Sequence, residues 1–166
     1  MRLFKRNTGM TGFGGFTLIE LTVVVVLVGI LAAIAVPMLS RAMPRLKTRA
    51  EARNILNTLR IARSRAIAEN AQYGVYFDVN NKRYLLFKDT QNPSQMTYHQ
   101  SDSTIGSPVA IDGNVSYGTI SLGGNCVIML PTGAASQSGS IGLNSCYGDS
   151  PFSIQIIAAT GKTKLQ

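Results

Sequence analysis

The sequence predicts an α+β protein in which one long N-terminal helix, apolar and then amphipathic, packs on a head of antiparallel strands. Three observations carry this. Residues 21–39 contain no charged side chain. Apolar residues recur at helical spacing between Ala50 and Asn70. Beyond Tyr73, short β-rich runs alternate with Gly, Pro and Asn. At 166 residues the chain suits one domain plus an anchor.

The apolar run from Leu21 to Leu39 is interrupted only by Thr22, Gly29 and Pro37. As a helix it rises about 28 Å, close to the ~30 Å hydrocarbon core of a bilayer. Val23 to Val28 is β-branched and would suit a strand in water. In lipid the backbone must satisfy its own hydrogen bonds, and helix wins. A secretory signal places small residues after a shorter apolar core. Here Thr11-Gly12-Phe13-Gly14-Gly15 comes before a longer one, so cleavage there leaves the helix on the mature chain.

The formal charge is +8, with a pI near 9.9. Arg2, Lys5 and Arg6 precede the apolar run; without them 13 Lys+Arg face 8 Asp+Glu, a net +5. Eight of the 13 lie between Arg41 and Arg65, so the charge is a local stripe. Its two readings are a solvated helix face near anionic headgroups, or a contact for acidic partners or DNA phosphates. The three early cations oppose Arg41, Arg45, Lys47 and Arg49 just after the span, so charge bias alone leaves orientation open.

Pro37 and Pro44 each remove a backbone donor and are expected to kink the helix. From Ala50 to Asn70 the apolar set is Ile55, Leu59, Ala62, Ala66 and Ile67, with Asn70 and Gly74 as the stop. One helix is therefore expected from Phe16 to about Asn70. Tyr73–Phe77 and Tyr84–Phe87 form a hairpin about Asn80-Asn81, and residues 90–108 form a long polar loop. Further strands are expected at 109–111, 115–120, 126–130, 139–143 and 152–158, with a final hairpin at Ala159-Thr160-Gly161 into 162–165. Asp149-Ser150-Pro151 marks a turn. The segments are then 1–15, 16–40, 41–71 and the β-rich head 72–166.

Gly14-Gly15-Phe16-Thr17-Leu18-Ile19-Glu20-Leu21 resembles the class III signal of type IV prepilins and type II secretion pseudopilins. The similarity continues through Gly29-Ile30-Leu31-Ala32-Ala33-Ile34-Ala35 to Pro37. It implies a pilin-like fold, a leader 1–15 cut by prepilin peptidase between Gly15 and Phe16, and N-methylation of Phe16. It also implies an inner-membrane, single-pass anchor in the lipid bilayer with the head in the periplasm. The partners it implies are other pilin or pseudopilin subunits and an inner-membrane assembly platform. Met129-Leu130-Pro131-Thr132-Gly133, Gly139-Ser140-Ile141-Gly142-Leu143, Ile154-Gln155-Ile156-Ile157 with Gly161-Lys162, and Ala62-Arg63-Ser64-Arg65-Ala66-Ile67-Ala68 resemble pseudopilin H and FimT-type minor pilins in particular. The role implied is a minor structural subunit of a type II secretion pseudopilus or a type IV pilus.

Once Phe16 is the N-terminus, its amine lies one helical turn before Glu20. In a filament, Glu20 of one subunit meets the Phe16 amine of its neighbour, each charge compensating the other and fixing axial register. The plainer reading is an interfacial carboxylate without a special partner.

Cys126 and Cys146 pair as a disulfide if the head is exported, and otherwise pack as free thiols. With His99 the sole histidine and no nucleophile, phosphate-loop or metal-ligand spacing, the sequence reads as neither an enzyme nor a cofactor binder. Some FimT-type minor pilins bind DNA through a C-terminal Gly-Arg-x-Arg element. The corresponding Gly161-Lys162-Thr163-Lys164 keeps the charge at Lys162 and Lys164 but not the bidentate fork.

Overall fold

The computed structural model describes residues 15–91, 93–146 and 152–166, apart from the Arg41 side chain. The leader 1–14 and the turn expected at Asp149-Ser150-Pro151 lie outside the described residues. The chain divides at Leu39 and Ser40 into two compact units. One helix, α1 (Leu18–Ala68), belongs to both and continues through Pro37 and Pro44, so neither proline ends it.

In the first unit Thr17 caps the helix. The Glu20 backbone N–H donates to Thr17 Oγ1 at 3.2 Å, and Leu21 N–H to the Thr17 carbonyl at 3.2 Å. Thr17-x-x-Glu20 is thus the sequence of a capping box, with an acid in the first turn where the helix dipole favours it. Thr22, the polar interruption of the run, returns its hydroxyl to the Ile19 carbonyl at 2.8 Å. Every side chain from Phe16 to Leu39 is exposed among the described residues, so this apolar surface is uncovered there. The helix is long and apolar enough to cross a membrane, with a mean hydropathy of 2.8 over its most apolar window.

In the second unit, α1 buries Thr48, Ala52, Ile55, Leu56, Leu59, Ala62 and Ala66. These follow the 3–4 spacing of one helical face. Thr48 is tolerated there because its hydroxyl donates to the Pro44 carbonyl at 2.9 Å. Ile67, expected in the core, is instead half exposed at 51%: it lies on the flank of the buried stripe, and small Ala66 takes the inward position. The helix closes with Asn70 at φ 50°, a left-handed conformation that Asn tolerates well.

The described residues form eight strands in two four-stranded antiparallel sheets, as the head of antiparallel strands was expected to be built. They are β1 (Tyr73–Asp78), β2 (Arg83–Lys88), β3 (Ser103–Ala110), β4 (Val115–Ile120), β5 (Cys126–Met129), β6 (Gly139–Ser145), β7 (Phe152–Ile157) and β8 (Lys162–Leu165). The orders are β3-β2-β1-β5 and β4-β6-β7-β8. Alternation sends Tyr73, Val75, Phe77, Tyr84, Val127 and Met129 of the first sheet into one core with α1. Ile141, Leu143, Ile154 and Ile156 of the second sheet join the same core. Leu85, Phe87 and Ile128 point to the opposite face of the first sheet, where Tyr98 covers them.

β3 falls largely within the stretch expected to be a loop. It is an edge strand exposed along almost its whole length, so no burial period marks it in sequence. Its register shifts opposite Tyr84 and Leu86, around Gly106 at φ 77° and Pro108; a bulge and a proline are common protections of a sheet edge. After β3, Asp112 accepts from the Asn114 backbone and side-chain N–H groups (2.9 and 2.7 Å) and pairs with Lys47 at 3.1 Å. These donors hold its carboxyl down at about 2.

Candidate functional site

Gly15, Phe16 and Glu20 sit together at the start of the first unit. Phe16 precedes the helix and is 82% exposed. Glu20 is exposed one turn into α1, with only its backbone N–H engaged by Thr17. Among the described residues, both side chains are open to solvent. The capping role of Thr17 and Glu20 was legible as a T-x-x-E motif. The bond observed is the one from the Glu20 backbone N–H to Thr17 Oγ1.

In the second unit, the helical repeat places Arg45, Arg49, Arg53, Arg60 and Arg63 within a sector of about 80°, on one flank of the buried stripe. The ion pairs among the described residues lie elsewhere: Lys47–Asp112, Arg83–Asp78 at 2.9 Å and Lys88–Glu69 at 3.4 Å. The arginine flank is therefore a segregated cationic surface.

Arg63 also ties three head motifs together. Its Nε donates to the Gly133 carbonyl at 2.8 Å, across 70 positions of sequence. Gly133 (φ 81°) and Gly161 (φ 59°) are both left-handed, and a Cβ on Gly161 would run into the Gly133 carbonyl oxygen. The helix segment around Arg63, the Pro131-Thr132-Gly133 turn and the Gly161-Lys162 hairpin thus converge. Replacing Arg63 with alanine leaves the Gly133 carbonyl without this donor and is expected to cost about 1.5–3 kcal/mol. A fall in the head's unfolding midpoint, partly restored by Arg63→Lys, checks it.

Lys162 and Lys164 project from β8, an edge strand, on the face opposite buried Thr163. Their partners on β7 are Ile157 and Gln155, both exposed, so the lysines meet no carboxylate on that strand. Beside them, an open groove of about 380 Å³ is lined by Ser121, Ser138, Ser140, Gln155 and Ile157.

Cys126 and Cys146 are not bridged in this structure. Cys126 is buried on β5 of one sheet, while Cys146 is exposed just after β6 of the other, and both are free thiols. Burial pushes the Cys126 thiol up, which disfavours the thiolate that exchange requires. His99, read as an ordinary loop residue, lies 3.8 Å from buried Asp102.

A capped, uncovered apolar helix with a prepilin-type start, continuing into an α+β head, defines a pilin-like subunit. Residues 10–36 match the prokaryotic N-terminal methylation motif. Residues 51–161 match the family described as type II transport protein GspH, and the chain belongs to that family. The minor pseudopilin EpsH of the type 2 secretion system of Vibrio cholerae shares the fold with a TM-score of 0.57 at 12% identity. That match covers 72% of this chain and 96% of EpsH. The type IV minor pilin FimU of Pseudomonas aeruginosa is similar, with a TM-score of 0.55 at 13% identity, covering 74% of this chain and 90% of FimU. None of the curated proteins compared with the chain matches it.

Proposed function

We propose that this chain is a minor subunit of a type II secretion pseudopilus or a type IV pilus. In this reading prepilin peptidase cuts between Gly15 and Phe16, and Phe16 is N-methylated. The first unit is held in the inner membrane until the assembly platform passes the subunit into a filament, with the head in the periplasm. The observation that carries the reading is the run from Phe16 to Leu39, apolar but for Glu20 and a few small polar residues and without one buried side chain; the methylation motif at 10–36 covers most of it. Such a surface needs lipid or the helices of neighbouring subunits. Deletion of the gene tests it. Loss of secreted proteins from the medium places the subunit in secretion, and loss of surface pili or transformation places it in a pilus. A deletion strain normal in all three contradicts the proposal.

A second reading, a DNA-binding minor pilin, is favoured by the exposed Lys162 and Lys164 beside the Arg63 node. Its signature is a mobility shift of duplex DNA that weakens steeply with salt and is lost in Lys162→Ala/Lys164→Ala. A chain that leaves DNA unshifted even at low salt ends this reading.

A further inference from the structure

The far face of the first sheet is covered by a short strap, residues 97–102. Tyr98 stacks on Tyr76 at 4.4 Å between ring centroids and meets Phe87 edge-on at 5.0 Å. Asp102 holds the strap down. Its Oδ1 accepts from the Thr90 and Gln91 N–H groups at 3.1 and 3.0 Å, and its Oδ2 from the His99 N–H at 2.8 Å. Three backbone donors thus converge on the Asp102 carboxyl and tie the strap to the end of β2.

Asp89 is the anomaly beneath it. It is 6% exposed, and only one of its oxygens is served: Gln72, with its amide turned to donate, reaches Oδ2 at 3.2 Å. Asp89 Oδ1 is buried with no hydrogen-bond partner among the described residues, and so is His99 Nδ1. The titratable groups facing Asp89 are Asp102 and His99 from the strap and Cys126 from β5. Tyr98 and Tyr76 lie further out in the same layer. An ionised Asp89 therefore sits desolvated beside a second carboxylate, with Gln72 its one side-chain donor among the described residues.

We propose that Asp89 is a proton-operated latch: the strap is closed when Asp89 carries a proton and loosened when it ionises. Loosening lets water reach Asp89, separates it from Asp102, and uncovers Phe87 and Ile128. Burial, followed by the Asp102 charge, raises the Asp89 carboxyl above its ordinary 3.8. The sign follows. Because the closed-state value lies above the open-state value, closure carries no penalty from Asp89 below pH 3.8. The penalty grows as pH rises until Asp89 has ionised in the closed state as well.

The test is amide exchange at Thr90, Gln91 and His99 in the full chain, read as the ratio of Asp89→Asn to wild-type protection at each pH. Taking the ratio cancels intrinsic exchange. It is expected to be near one in acid and to rise with pH, by at most about tenfold per pH unit, the slope of one proton, before levelling off. His99→Gln should keep that pH profile. A ratio that stays flat with pH overturns the latch. Loss of the profile in His99→Gln moves the proton to the imidazole and overturns the assignment to Asp89. A ratio that responds to added calcium but not to pH replaces the proton with a metal ion and also overturns it.

Discussion

Gly15→Ala, or any larger substitution, is expected to leave the chain uncut. A peptidase acting between Gly15 and Phe16 must bring its reacting groups against that peptide bond. Gly15 presents only a hydrogen, and among the described residues nothing lies within 4 Å of a Cβ built there, so those residues do not require a glycine. A substitution therefore spares the fold and acts on the approach of the enzyme. A displacement of about 1 Å at a reacting bond costs on the order of 10²-fold in rate. The expected result is an accumulated precursor, heavier by its leader and still in the membrane, seen on a gel of the membrane fraction. Normal processing of the Gly15 variant contradicts the cleavage assignment.

Glu20→Ala is expected to separate insertion from assembly. A carboxylate in a span costs ~2.5–3.5 kcal/mol at the membrane centre and less toward the interface, so its removal leaves insertion intact or slightly improved. Incorporation into filaments should fail, because the Phe16 amine of the neighbour loses its partner. The capping geometry supplies a sharper comparison. Glutamine serves in a capping box nearly as well as glutamate, yet carries no charge. If pairing is the function, Glu20→Gln fails in assembly like Glu20→Ala. If Glu20→Gln assembles while Glu20→Ala does not, the role is the local cap at Thr17. Counting tagged subunits in sheared filaments, normalised to the membrane pool, separates the two.

Much of the fold was legible because its signals are local. The uncharged run 21–39 needs only composition. The stop at Asn70 and strands such as Val115–Ile120 and Lys162–Leu165 were marked by turn residues and alternation. What escaped depends on surroundings. β3 was unreadable because an exposed edge strand needs no hydrophobic face. Ile67 was misplaced because helical spacing locates a stripe but not its exact centre, and one residue turns a side chain by about 100°. The Arg63 anchor is invisible in sequence, since its acceptor is a carbonyl in a distant turn. Asp89, Asp102 and His99 look like ordinary loop polarity until burial sets them beside one another.

The candidate site was read from equally local signals. Gly15, Phe16 and Glu20 came from one contiguous string, which the methylation motif covers. Cys126 and Cys146, twenty positions apart, lie on or beside strands of different sheets and are free thiols here, a separation that sequence spacing does not reveal. Lys162 and Lys164 were placed on a strand by sequence, but only the fold sets their hairpin beside Arg63 and pairs them with uncharged Ile157 and Gln155 of β7.

The most direct measurement is the intact mass and N-terminal peptide of the chain recovered from membranes. The account predicts a polypeptide that begins at Phe16, carries one methyl group on its amine, and stays in the bilayer fraction. A chain that still starts at Met1, or a free head that has lost the residues before Ser40, would contradict it.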